Sequence, residues 1–151
     1  MYRPRLLINI FLLNAKEDKI LILKKFGNFF WELVGEKLNS GEQFDDCVQR
    51  VLYEETTLKL DDFTRIKFVC SFNAVEKVKK KHFISVNYVL TLTEEEEKSK
   101  ITIDPYIYQH WKWVTFDEMQ KMNDSFFYGV QIFMKNYKIK SLADIKAIKS
   151  N

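Results

Sequence analysis

One segment constrains this chain more than any other. Phe44, Cys47, Val48, Val51 and Leu52 stand at i, i+3, i+4, i+7 and i+8, the spacing of a single apolar helix face. Asp45 and Asp46 fall in the first turn of that helix, where acids complement the exposed N–H groups. Three of the chain's four glycines, Gly27, Gly35 and Gly41, lie just ahead of it. Glycine is the residue for backbone at positive φ or in close approach to another group, so the chain concentrates its backbone freedom before one helix.

The remaining pattern predicts strands over residues 6–13, 19–24 and 29–33, then a hairpin of residues 65–74 and 83–92 around the lysine-rich VEKVKKK. A further strand is expected at 108–114 and helices at 116–122 and 126–136, with Glu94 to Glu97 as a surface loop. No repeat or low-complexity linker divides the 151 residues, a length typical of one domain. Strands around a central helix, with helical segments near the end, predict an α/β (α+β) fold with a mixed sheet and helices on its faces. The domain is expected over 1–137, with 138–151 as a tail and short helix. Ser141 and Asp144 have capping spacing there, and Leu142, Ile145 and Ile148 share one side. That side packs either on its own domain or on a partner.

Composition excludes several classes. The net charge of +3, from 24 basic and 21 acidic residues, is too small to imply a specific nucleic-acid partner. Cys47 and Cys70 lack a CxxC pattern and, with only His82 and His110 beside them, give no zinc-ligand spacing. They read as buried free thiols. The apolar run Leu6 to Leu13 is too short to span a bilayer. Arg3 and Arg5 ahead of it leave a mitochondrial import signal as the alternative to a cytoplasmic default.

At 100° per residue Glu55 projects within about 40° of Val51 and Val48, continuing the apolar stripe, and Glu54 flanks it. A carboxylate aimed at a core is costly unless paired or bound to a cation. Either the stripe simply emerges into water at Glu55, or the acid has a task.

The stretch VGEKLNSGEQFDDCVQRVLYEETTLKL resembles the Nudix box: Gly, five residues, Glu, seven residues, Arg-Glu, an aliphatic, one residue, Glu-Glu, one residue, Gly, an aliphatic. Glu42, Arg50, Leu52, Glu54, Glu55 and Leu58 match without a gap, and Gly35 and Gly41 match common flanking glycines. Glu36, Val51 and Thr57 stand where the box has glycine, glutamate and glycine. Later segments, including SF at 71–72, HF at 82–83, DPYIYQHWKWVTFDEM and FFYGVQIFMKNY, are similar to the branch of nucleoside triphosphate diphosphatases acting on thiopurine nucleotides.

The resemblance implies a Nudix fold and Mg²⁺- or Mn²⁺-dependent cleavage of a nucleoside diphosphate linked to another group, by water attacking phosphorus. It implies Glu54, Glu55 and Arg50 as catalytic residues, Glu55, Glu54, Glu42 and Gly35 as the metal site, and Arg50 as a brace for Glu42. Phe127, Tyr128 and Trp111 are the implied substrate-binding aromatics, and the ligand is a nucleotide or nucleotide sugar. Val51 removes one of two acids that in the family stand four apart on one helix face. Two readings follow: a hydrolase with a reduced metal site, or an inactive nucleotide-binding module, as a homodimer or within a larger assembly.

Other candidates are weaker. Trp113, on the same strand face as Trp111, reads as core. Lys77, Lys79, Lys80 and Lys81 read as a solvated hairpin tip. Asp104 stands where several such enzymes bring a further acid, but Tyr106 and Gln109 replace the glutamates expected after it.

Overall fold

The structure, a computed structural model, describes residues 3–137 and 141–148. The strands are β1 (Arg5–Leu13), β2 (Ile20–Lys25), β3 (Val34–Lys37), β4 (Lys67–Glu76), β5 (Lys81–Thr91) and β6 (Tyr108–Val114). The helices are α1 (Phe44–Thr56), α2 (Glu94–Ser99), α3 (Phe116–Lys121), α4 (Tyr128–Tyr137) and α5 (Leu142–Ala147). The six strands form one mixed sheet in the order β4-β5-β1-β2-β6, with β3 also paired to β1.

Central β1 runs parallel to β5 along its whole length. Its other edge is shared. Leu13 pairs with Ile20 of β2, whereas Leu7 to Ile10 pair antiparallel with β3. β2 and β3 therefore diverge along β1, and the sheet opens where the glycine-bearing β3 begins.

Alternation along the strands builds a core on each face. Ile8, Ile10 and Leu12 of β1 join Val48, Val51 and Leu52 of α1 on one side. Phe11 and Leu13 join Phe116, Val130, Phe133, Leu142 and Ile145 of α3, α4 and α5 on the other. The sheet is sandwiched between helices, the architecture expected from the element order. Leu142 and Ile145 are both buried, and Lys146 bridges to Glu17 at 2.6 Å, so α5 lies on its own domain. The rest of the tail, residues 138–140 and 149–151, falls outside the described residues.

Two expected elements differ. The third strand lies at 34–37, not 29–33. Phe29 is 86% exposed, and residues 31 and 32 make only isolated bridges, Trp31 with Phe126 and Glu32 with Leu23. An aromatic run of strand-like composition here serves as a strap across the sheet's end. The acidic run at 94–97 is helical, not a loop. Thr93 and Glu96 form a capping box, the four acids sit at a helix N-terminus, and Arg65 grips both Glu96 oxygens at 2.6 and 3.0 Å.

Cys47 and Cys70 are free and buried. Trp113 packs against the α1-side core, as its strand position suggested. Among the described residues no helix is long and apolar enough to cross a membrane.

Candidate functional site

Where β2 and β3 diverge from β1, side chains from several elements line a pocket. Arg5 comes from β1, Lys25 from the end of β2, Lys37 from β3, Lys81 and Phe83 from β5, and Phe127 from the turn before α4. Phe83 and Phe127 meet edge to face, with centroids 5.2 Å apart and planes at 77°. Gly35 also lines the pocket. A Cβ there would stand 2.5 Å from the Ile8 carbonyl oxygen and 2.6 Å from Asn9 Oδ1, so only glycine lets β3 pair this closely with β1.

Glu55, at the end of α1, points back under this loop. It is 5% exposed, and its Oε1 and Oε2 accept from the Gly35 N–H at 3.3 and 3.2 Å. Burial pushes its pKa up to about 8, against the opposing pull of Lys25, the Gly35 N–H and a hydrogen bond with Tyr108. The stripe does not emerge into water at this residue.

Arg50 organises the other acids. Its Nε and Nη2 donate to Oε1 and Oε2 of Glu42 at 2.7 and 3.0 Å, and Nη1 reaches Glu54 Oε2 at 3.1 Å. Nη2 also donates to the Lys37 carbonyl at 3.0 Å. Glu42 accepts the Asn39 N–H as well, at 2.9 Å. The guanidinium, together with that N–H, holds the Glu42 pKa down to about 2. This fork ties the loop to α1.

Val51, where the box has a further acid, is fully buried in the α1-side core. Burying such a side chain stabilises a fold by roughly 1.5–3 kcal/mol, and it offers no donor. The carboxylates that remain are engaged within the chain: Glu42 and Glu54 by Arg50, Glu55 by Gly35. Among the described residues no three His, Cys, Asp or Glu side chains gather in one place. A divalent ion held by two acids four apart on α1 would lack one of them at Val51, and the carboxylates that remain, each already engaged, do not match that site.

A lysine stands among acids instead. Lys25 Nζ is 3.1 Å from Glu36 Oε2. Burial would lower its pKa, but Glu55, Glu36 and Glu32 together outweigh it and the pKa is raised. Glu32 itself is raised by burial, opposed by Lys25. Glu36, the residue in place of the box's first glycine, is thus the partner of this lysine.

Of the expected binding aromatics, Phe127 lines the pocket, whereas Trp111 is 44% exposed on β6 and does not. Tyr128 begins α4, and its side chain lies outside what the structure describes. Asp104 shapes a turn by accepting the Tyr106 N–H at 2.8 Å. Lys81 lines the pocket, unlike the rest of the lysine run. Lys25 and Glu32 were not foreseen. The only sequence hint was their nearness to Gly27 and Gly35.

A single mixed sheet between helices, with a glycine-bearing strand leading into an acid-bearing helix, defines the fold class. A family model described as the NUDIX domain matches residues 3–130, and the chain belongs to the Nudix family. Solved structures of similar fold include the MutT protein of Methanosarcina mazei Go1, at TM-score 0.70 and 17% identity over 91% of this chain and 94% of that one. The NUDIX domain of Shewanella oneidensis NrtR, complexed with ADP ribose, matches at TM-score 0.66 and 16% identity, over 91% and 89%. A C. elegans Ap4A hydrolase matches at 0.65 and 13%, over 89% and 95%. Hydrolases of this family generally use divalent metal ions.

Proposed function

We propose that this chain binds a nucleoside diphosphate-linked ligand, a nucleoside triphosphate or a nucleotide sugar, and turns it over weakly or not at all. The observation that carries this reading is the pocket itself. Arg5, Lys25, Lys37 and Lys81 line one cavity with the Phe83–Phe127 pair, and cations with flat aromatic faces suit phosphates and a base. The same box that borders this pocket has an aliphatic core residue at Val51 and commits Glu42 and Glu54 to Arg50. Such a chain would work as a binding module, alone, as a homodimer or in a larger assembly.

The second reading, a Mg²⁺- or Mn²⁺-dependent pyrophosphohydrolase, is favoured by one feature. Glu55 keeps its place in the box, buried beside Gly35, with a pKa of about 8 that lets it exchange a proton near neutrality. Glu54, and Glu42 with Gly35, would then have to leave their present partners to complete a metal site.

The test is a panel of nucleoside triphosphates, nucleotide sugars, ADP-ribose and dinucleoside polyphosphates. Binding is followed by calorimetry, and nucleoside monophosphate release is followed with Mg²⁺ or Mn²⁺. Binding without turnover, with turnover appearing only in Val51→Glu, is the expected result. Turnover in the natural chain that falls in Glu55→Gln establishes the hydrolase instead.

A further inference from the structure

We propose that the pocket takes the diphosphate of its ligand without a divalent cation, the charge a metal would bring being supplied by Lys25 with Arg5, Lys37 and Lys81. The inference rests on the nucleotide reading above and concerns how that ligand is held.

In a metal-dependent diphosphate site, carboxylates hold a cation and the cation holds the phosphates. Here the acids face other partners. Arg50 takes both oxygens of Glu42 and one of Glu54, and the Gly35 N–H takes Glu55. Val51 adds no donor and sits in the core. Freeing Glu42 for a metal would break a two-pronged ion pair at 2.7 and 3.0 Å and unfasten the loop from α1.

What lies on the pocket side is positive. Four cationic side chains line it against two carboxylates, Glu32 and Glu36. Glu36 is paired with Lys25 at 3.1 Å. Arg5, Lys37 and Lys81 make no salt bridge among the described residues, so their charge is available to a ligand. The Lys25 ammonium, fixed between Glu36 and the neighbourhood of Glu55, is a permanent cation beside the glycine loop. The substitution of Glu36 for the box's glycine and the presence of Lys25 thus form one arrangement. The glutamate orients the lysine, and the lysine faces the cavity where phosphate oxygens would lie. Lysine binds phosphate as a compact point charge with three donors.

The test measures binding of ADP, GDP, CDP, UDP and inorganic pyrophosphate by calorimetry, once in EDTA and once with Mg²⁺ or Mn²⁺. The expected result is that at least one nucleoside diphosphate binds in EDTA and that added metal changes its Kd by less than about threefold. Lys25→Met should weaken that binding about tenfold, the loss expected when one charge-assisted contact goes, and metal should not restore it. Lys81→Ala, an exposed position whose change leaves the core untouched, should weaken it in the same direction and covers the case in which Lys25→Met fails to fold. Affinity that rises tenfold or more with metal overturns the inference and leaves the nucleotide reading standing. Absence of binding by every probe in both conditions overturns the inference, and the nucleotide reading falls with it only if the triphosphates, nucleotide sugars and dinucleoside polyphosphates of the panel above also fail to bind.

Discussion

The Gly35 amide donates to the Glu55 carboxylate, 3.2 and 3.3 Å from its two oxygens, and so joins the loop to the last turn of α1. The bond exists because Gly35 has no side chain to keep β3 off β1, and because the helical stripe aims Glu55 inward. Its energetic consequence depends on protonation. Burial raises Glu55 from 4.5 to about 8, so between those values the folded state holds a proton that the unfolded state releases.

Stability from this group is therefore full below the unfolded value, near 4.5, and is lost as pH rises through the folded value, about 8. Glu32, also raised by burial, acts in the same direction. Urea unfolding of the natural chain should show a midpoint that falls from pH 5 to pH 9, by a free energy on the order of a few kcal/mol. Glu55→Gln, neutral and of similar shape, should flatten most of that slope and be the more stable protein at pH 9. An unchanged slope in the variant would show that Glu55 is not the titrating group.

Val51→Glu places a carboxylate at a fully buried position among Val48, Leu52 and the sheet. It forfeits the valine's burial and adds desolvation of an acid, a loss of roughly 3–5 kcal/mol in EDTA. The new acid also stands one helical turn before Glu55. The variant should therefore regain part of its melting temperature when Mg²⁺ or Mn²⁺ is added, whereas the natural chain should not respond. Equal responses in the two proteins would mean that the acid pair does not form a cation site.

Gly35→Ala tests the close approach of β3 to β1. Its Cβ would meet the Ile8 carbonyl oxygen at 2.5 Å, and because that atom is backbone in the central strand, relief requires β3 to move. A cost of about 3 kcal/mol is expected. Binding in the pocket should weaken beyond what stability alone explains, since the Gly35 N–H would no longer reach Glu55. Measuring affinity well below the melting temperature separates the two effects.

Much of this was legible in the sequence because it is local. The helix at 44–56 follows from five apolar positions and two acids, and the Glu42–Arg50 fork follows from a box pattern confined to one loop and one helix. Phe127, expected as a binding aromatic from its position, lines the pocket. The pocket's cations were not foreseen, because Arg5, Lys25, Lys37 and Lys81 come from four strands. What gathers them is the switch of β1 from β2 to β3, a long-range pairing that no short window encodes. The misplaced third strand has the same origin. Phe29 to Leu33 has strand composition, yet the partner edge of β1 is reached only from Val34, where the chain can pass close at Gly35.

Thr57 carries the last prediction. It ends α1 in the left-handed region, at φ 62°, with its N–H donating to the Tyr53 carbonyl. This is the helix-ending position that glycine favours, and the Nudix box has glycine there. A β-branched residue held in this region is strained by about 1–2 kcal/mol. Part of the strain is offset, because Thr57 Oγ1 lies 2.6 Å from the Thr56 carbonyl oxygen and 3.2 Å from that of Lys100. Thr57→Gly removes the strain and these bonds and loosens the unfolded chain, leaving a net stabilisation expected near 0.5–1 kcal/mol. Thr57→Ala loses the hydroxyl but keeps a Cβ, so it should be less stable than the natural chain. Thermal melts of the three proteins decide the matter: the order Gly, Thr, Ala from most to least stable supports backbone strain at the end of α1, whereas Thr above Gly would show that the hydroxyl's bond to Lys100 outweighs it.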